Sequence, residues 1–445
     1  MSMLGVDDGL RLDQAPPLSI PARFFMIAPV AMVLAGALLI FDGSGALTMN
    51  WAPATLTLTH LLTIGVLLSV MMGALYQMIP VVAGVPVPWV RSAYAVHVLL
   101  VVGLMGLLAA LYKHQVWAGE LAIWALGPAV VTFLVPVAVA LWRAPTRDAT
   151  VVGMKLAVLS LLLVATMGLW MAHGHGGMEF PGPRGTWIAA HASVGLLTWV
   201  GGLLAAISWQ VVPMFYLAQH THPRSQKAVL GMLAAGLLGP VVLLTISKIT
   251  GTAPGGDLAL LLSALPAAIA VWMVHPVTTL ISLHRRKRKR PEASVLAWQT
   301  GMVLALVCGL VAPIALLVGG LTWPLVLGWV AIWGWAGVTM HGMLYRIVPF
   351  LVWFHRFSAL IGIVPVPPMR RLLPDAWARR LIQLHGLSVA LGAVAILSGV
   401  DALARITGVA VALVGVGLGA LLVRTLLRMP DPIPAGTETM APPAS

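Results

Sequence analysis

The stretch Tyr76-Gln77-Met78-Ile79-Pro80 is written twice more in this chain, as Trp209-Gln210-Val211-Val212-Pro213 and as Tyr345-Arg346-Ile347-Val348-Pro349. The copies lie 133 and 136 residues apart, each at the end of a hydrophobic segment, the signature of a threefold internal repeat. In the first two copies a histidine precedes the Gln by a similar distance, His60 by 17 residues and His191 by 19. Potential metal ligands at similar depth in related segments are therefore the first functional idea.

Composition decides the solvent. With 60% hydrophobic and 9% charged residues and a mean hydropathy of +0.98, the chain belongs in a bilayer. Spans of roughly 20 apolar residues can be placed twelve times. The expected fold is thus an all-α integral membrane protein of twelve transmembrane helices. They form three pseudo-symmetric four-helix units over residues 22–142, 150–283 and 294–427, with disordered ends at 1–21 and 428–445. Lys and Arg are retained on the cytoplasmic side of short loops. With both termini inside, 21 of the 26 basic residues face the cytoplasm, and only Lys113, Arg184, Lys248 and Arg405 fall outside. The expected location is a bacterial inner membrane, N-in and C-in.

The net charge of +13 then needs no nucleic acid as partner, because most of it faces anionic headgroups from the inner loops, the run Arg285 to Arg290 included. Cys308 is the single cysteine, so an intrachain disulfide is excluded.

The repeated phrase lies near the inner ends of the second helix of each unit. There the proline breaks the helical ladder and frees carbonyls, and the Gln77 or Gln210 amide one turn earlier can satisfy them. Arg346 replaces Gln in the third copy, and a guanidinium within a span is costly unless paired. Two readings stay open for it: snorkelling to the interface, or holding an anionic ligand such as a cofactor carboxylate.

Histidine is the common neutral nitrogen ligand of haem iron, copper and zinc. Two layers result from the topology. His60, His191 and the pair His173-Gly-His175 lie near the outer face, and His97, His341 and His385 lie toward the inner face. His60 and His191 are each followed by glycines (Gly65 and Gly73; Gly195, Gly201 and Gly202), which suits a flat cofactor but equally suits plain helix packing. His173 and His175, in a glycine-rich segment, suit an exposed copper or zinc site.

Twelve helices in three units, with Thr59-His60-Leu61-Leu62-Thr63-Ile64-Gly65 in the second and His191-Ala192-Ser193-Val194-Gly195 in the sixth, resemble subunit I of the haem-copper oxidase superfamily. NnrS-type haem and copper proteins of nitrogen-oxide metabolism are a more distant comparison. The resemblance implies b-type haem, with copper as a second cofactor. It also implies electron transfer, sensing or nitrogen-oxide handling, and a cytochrome c-type or quinol donor or further membrane subunits as partners. By this resemblance His60 and His191 are candidate haem or metal ligands; the reading of the residues themselves adds His341, Arg346, Gln77 and Gln210 as candidates for cofactor binding and His173, His175, His97 and His385 for metal.

Several departures limit what the resemblance implies. The superfamily's His-His pair is missing, and helix 10 offers only His341, about 12 residues or ~18 Å below the level of His60 at 1.5 Å per residue. Gly195 stands where many oxidases have a tyrosine. A complete oxygen-reducing centre is not expected, nor is proton pumping, which usually uses intramembrane carboxylates. The alternatives are a transporter or channel for a metal or small anion, built on the inner set His97, His341, Arg346 and His385, or a non-redox assembly subunit.

Overall fold

The computed structural model describes residues 15–175, 182–252, 256–287 and 289–430, and no strand occurs among them. Twelve helices among the described residues are long and apolar enough to cross a membrane. They are α1 (Ser19–Leu47), α2 (Pro53–Ala83), α3 (Val90–Lys113), α4 (Val116–Arg143), α5 (Ala149–Gly174), α6 (Arg184–Tyr216), α7 (Pro223–Thr250), α8 (Leu265–His284), α9 (Ala293–Leu317), α10 (Thr322–Arg356), α11 (Asp375–Ser398) and α12 (Asp401–Leu426).

Two boundaries differ from expectation. The chain was expected to be disordered to residue 21, but α1 begins at Ser19, because Ile20 and Pro21 pack into the core. The eighth span, expected over 258–283, is interrupted at Ala264, just before Pro266, which splits off a short helix at Gly256–Ser263. Residues 1–14 and 431–445, most of the expected disordered ends, lie outside the described residues.

Burial separates the helices into two classes. In their most apolar windows α2, α6 and α10 are 72%, 67% and 72% buried, against at most 50% for every other span. These three are also the longest, at 31, 33 and 35 residues. At 1.5 Å per residue they run roughly 46–53 Å, more than a ~30 Å hydrocarbon core, so they reach beyond it or tilt. The other nine form a jacket whose outward face carries Phe41, Trp124, Trp142 and Leu317, each more than 70% exposed. An apolar surface of that extent is stable against lipid and not against water.

The jacket closes on itself, with α12 packing along α1. A Cβ on Gly36 would lie 2.5 Å from the Ala412 backbone nitrogen, and one on Gly408 would lie 2.6 Å from the Gly36 carbonyl oxygen, so the two backbones touch through their glycines. Asp401 locks this seam at one end, accepting from the Ser44 backbone N–H at 2.8 Å and from Arg405 Nε at 2.6 Å.

The three central helices share a local distortion. Each widens into a π-helix of eight residues, at Leu61–Leu68, Val194–Gly201 and Val330–Gly337. Every one begins 16 residues before the Gln or Arg of the repeated phrase, so the distortion recurs in the same register as the sequence. Through these segments α2 and α6 each pack on α10, while making at most marginal contact with one another. π-bulges of this kind are often found at functional sites, and here they border a void.

Candidate functional site

That void is a cavity of about 470 Å³ between α2 and α6, completed by α3, α4, α5 and α10. Its size falls within the range of cofactor and ligand sites, roughly 300–1,000 Å³. The wall is mostly aliphatic and aromatic, with Leu107, Leu126, Trp199, Trp329 and Ile332 among its residues, and Asn50, Trp51 and Arg184 line it as well. Two imidazoles face it: His60 on α2 and His191 on α6.

Both rings are fixed in the same manner. His60 Nδ1 lies 2.8 Å from the Leu56 carbonyl oxygen, one turn back on α2, and His191 Nδ1 lies 3.0 Å from the Val164 carbonyl oxygen on α5. A carbonyl only accepts, so in each ring Nδ1 carries the proton and the neutral imidazole keeps its lone pair on Nε2. Among the described residues the hydrogen bonds of both rings run through Nδ1, and none runs through Nε2. An Nδ1–H held by a backbone carbonyl, with Nε2 free in a cavity, is the usual outer-shell support of a metal-bound histidine.

Gly168 makes room for the second ring. A Cβ there would lie 3.4 Å from His191 Nδ1 but only 2.8 Å from Cε1, closer than atoms tolerate. The absence of a side chain on α5 is therefore a condition for His191 to reach Val164.

The residues expected in the inner layer lie elsewhere. Gln77 stands 17 residues beyond His60, roughly 25 Å along the helix, and neither Gln77, Gln210, Arg346, His341, His97 nor His385 lines the cavity. Gln77 was expected to satisfy freed carbonyls. Instead it is 2% exposed with neither amide atom hydrogen-bonded, because the helix continues past Pro80 to Ala83 as a short π segment. Gln210 is partly exposed, and α6 likewise continues past Pro213 to Tyr216.

Arg346 has protein partners. It donates to Glu292 at 3.2 Å and to the Phe215 carbonyl at 3.0 Å, and its guanidinium lies over the Phe215 ring. Neither open reading foresaw this protein carboxylate, because Glu292 immediately precedes α9 and lies outside the helices.

His341 and His385 form a closed network. His385 Nε2 donates to the Trp333 carbonyl at 3.0 Å, leaving its Nδ1 to accept from His341 Nδ1 at 3.0 Å. His341 Nε2 then accepts from the Tyr345 hydroxyl at 2.7 Å. All four ring nitrogens are used, so neither residue, both fully buried, offers a lone pair to haem or metal in this arrangement. His97 is partly buried against the edge of Phe24, and its Nδ1 has no partner.

His173 is exposed at the end of α5, while the side chain of His175 and residues 176–181 lie outside the described residues. No group of three His, Cys, Asp or Glu side chains that could hold a metal ion forms among the described residues.

Sequence reasoning found both cavity histidines but missed what sets them: Gly168, the carbonyls of Leu56 and Val164, and the π segments. Compared with known proteins, the chain matches no family model and no curated protein, so the site rests on its own chemistry.

Proposed function

We propose that the protein is a multi-pass membrane haem protein of an oxidase-like architecture, which holds a b-type haem in the cavity between α2 and α6 and serves in electron transfer. One observation carries this reading: two imidazoles with free Nε2 lone pairs and anchored Nδ1–H groups line a single apolar cavity of about 470 Å³. Iron bound there would supply one-electron chemistry. The chain contributes the ligating nitrogens and a mostly apolar wall around them.

The three-unit organisation is supported by the common register of the π segments and the repeated phrase. The asymmetry of basic residues supports both termini on the cytoplasmic side of a bacterial inner membrane, with the cavity in the outer half. A cytochrome c-type protein or a quinol is the class of donor that such a site would use.

The transport reading is weakened, because three members of its set are engaged with protein, Arg346 by Glu292 and His341 and His385 by hydrogen bonds, which leaves His97. The test is a reduced-minus-oxidised visible spectrum of protein purified in mild detergent from haem-replete cells, with iron, copper and zinc quantified on the same sample. A haem signal near one per chain supports the proposal. Colourless, iron-free protein that takes up no added haem sinks it.

A further inference from the structure

We infer that His60 and His191 are both axial ligands of one iron, so that the site is six-coordinate and closed to added ligands. The inference rests on the proposed haem site and goes beyond it by fixing the coordination and hence the kind of chemistry.

Three observations lead there. Both rings line the same cavity, with Nδ1 tied back to a carbonyl and Nε2 unpartnered. Second, the histidines do not occupy the same place in the repeat. With the π segments aligned, His60 corresponds to Ser193, and His191 falls two residues earlier, opposite Leu58. Two residues turn a helix by about 200° at 3.6 residues per turn, so the two imidazoles project from nearly opposite faces of equivalent helices. In a cyclic arrangement neighbouring units meet through unlike faces. An offset near half a turn is what lets one ring look from α2 toward α6 and the other look back. Histidines at identical positions would not both reach a shared space. Third, the cavity wall holds no other imidazole and no carboxylate among the described residues, which leaves Met171 as its one other side chain of known haem-ligating type.

With two imidazoles on the iron, one electron enters and one leaves while no bond to substrate forms or breaks. The site then passes electrons between a reduced haem protein or quinol and an acceptor, and does not reduce oxygen or nitric oxide itself.

The test uses the full-length protein in detergent, by low-temperature electron paramagnetic resonance of the oxidised form and carbon monoxide addition to the dithionite-reduced form. The expected result is a low-spin ferric signal of bis-imidazole type and no spectral change with carbon monoxide. His60→Gly and His191→Gly should each bind haem at least about tenfold more weakly, turn high-spin and accept carbon monoxide, and millimolar imidazole should restore the low-spin form. Haem that is high-spin in the unaltered protein, or binds carbon monoxide there, overturns the inference while the haem reading stands. A thioether-to-iron charge-transfer band overturns it in favour of Met171. Unaltered protein that binds no haem at all removes the earlier reading and this one together.

Discussion

Substituting Gly168 with alanine separates the position of His191 from its identity. The added methyl carbon would sit 2.8 Å from His191 Cε1, 3.4 Å from Nδ1 and 3.8 Å from Nε2. Carbon atoms rest at about 3.5–4.0 Å, so the ring has to move by roughly 0.7–1.2 Å. A shift of that size takes the 3.0 Å bond from Nδ1 to the Val164 carbonyl beyond hydrogen-bonding range. Loss of one such bond costs about 1 kcal/mol. Loss of an outer-shell partner of a ligating histidine typically lowers metal affinity by about 10–100-fold, equivalent to ~1.4–2.8 kcal/mol. Gly127→Ala is the matched control on α4, since its methyl would meet only Leu169 Cδ1 at an ordinary 3.6 Å. Alanine favours a helix over glycine by about 1 kcal/mol, so neither variant should unfold. Haem titration of the stripped protein in detergent measures the effect: Gly168→Ala should bind 10–100-fold more weakly and Gly127→Ala unchanged. Equal affinity and identical spectra for both would refute the claim that the gap at Gly168 positions His191.

The double substitution His60→Ala/His191→Ala should remove the Soret band altogether while the protein elutes as before on gel filtration; a retained band rejects both as essential ligands. Tyr345→Phe should leave the His341 Nε2 acceptor buried and unpaired, costing about 1–3 kcal/mol in detergent unfolding. Because Tyr345 does not line the cavity, the haem spectrum should not change, and a changed spectrum would count against separate sites. Arg346→Gln should destabilise by about 2–3 kcal/mol, somewhat less than the ~3–5 typical of a fully buried pair, since the Arg346 and Glu292 side chains keep 12% and 19% exposure. A double-mutant cycle with Glu292→Gln should show positive coupling, and strict additivity would mean that the contact carries no energy.

The twelve spans were legible because hydrophobic length is a one-dimensional property and a bilayer enforces it. That α2, α6 and α10 are alike was legible through the repeated phrase they carry, but their central burial was not, and the phrase invited an error. Prolines 80, 213 and 349 read as helix breaks, yet all three helices run on, because packing inside the bundle outweighs one lost hydrogen bond. Glu292 escaped as the partner of Arg346 because it is distant in sequence and sits outside any span. His341 and His385 looked like His60 and His191 as letters. What distinguishes the pairs is whether Nε2 finds a protein acceptor or donor, and that depends on which carbonyls and hydroxyls other helices bring near. Gly168 was invisible for the same reason: its meaning is the ring that occupies its missing side chain.

The seam between α1 and α12 also sets a schedule for biogenesis. Ser44 and Asp401 are 357 residues apart in the chain, and synthesis proceeds at about 5–20 residues per second. The first helix therefore waits roughly 20–70 s before its glycine-lined partner exists. Through that interval the Gly36 face has no mate, and a newly inserted α1 must be sheltered by lipid, by the insertion machinery or by a transient neighbour. Truncated chains ending before Asp401 would then be the natural prey of membrane quality control, even though their cavity-forming helices are already made.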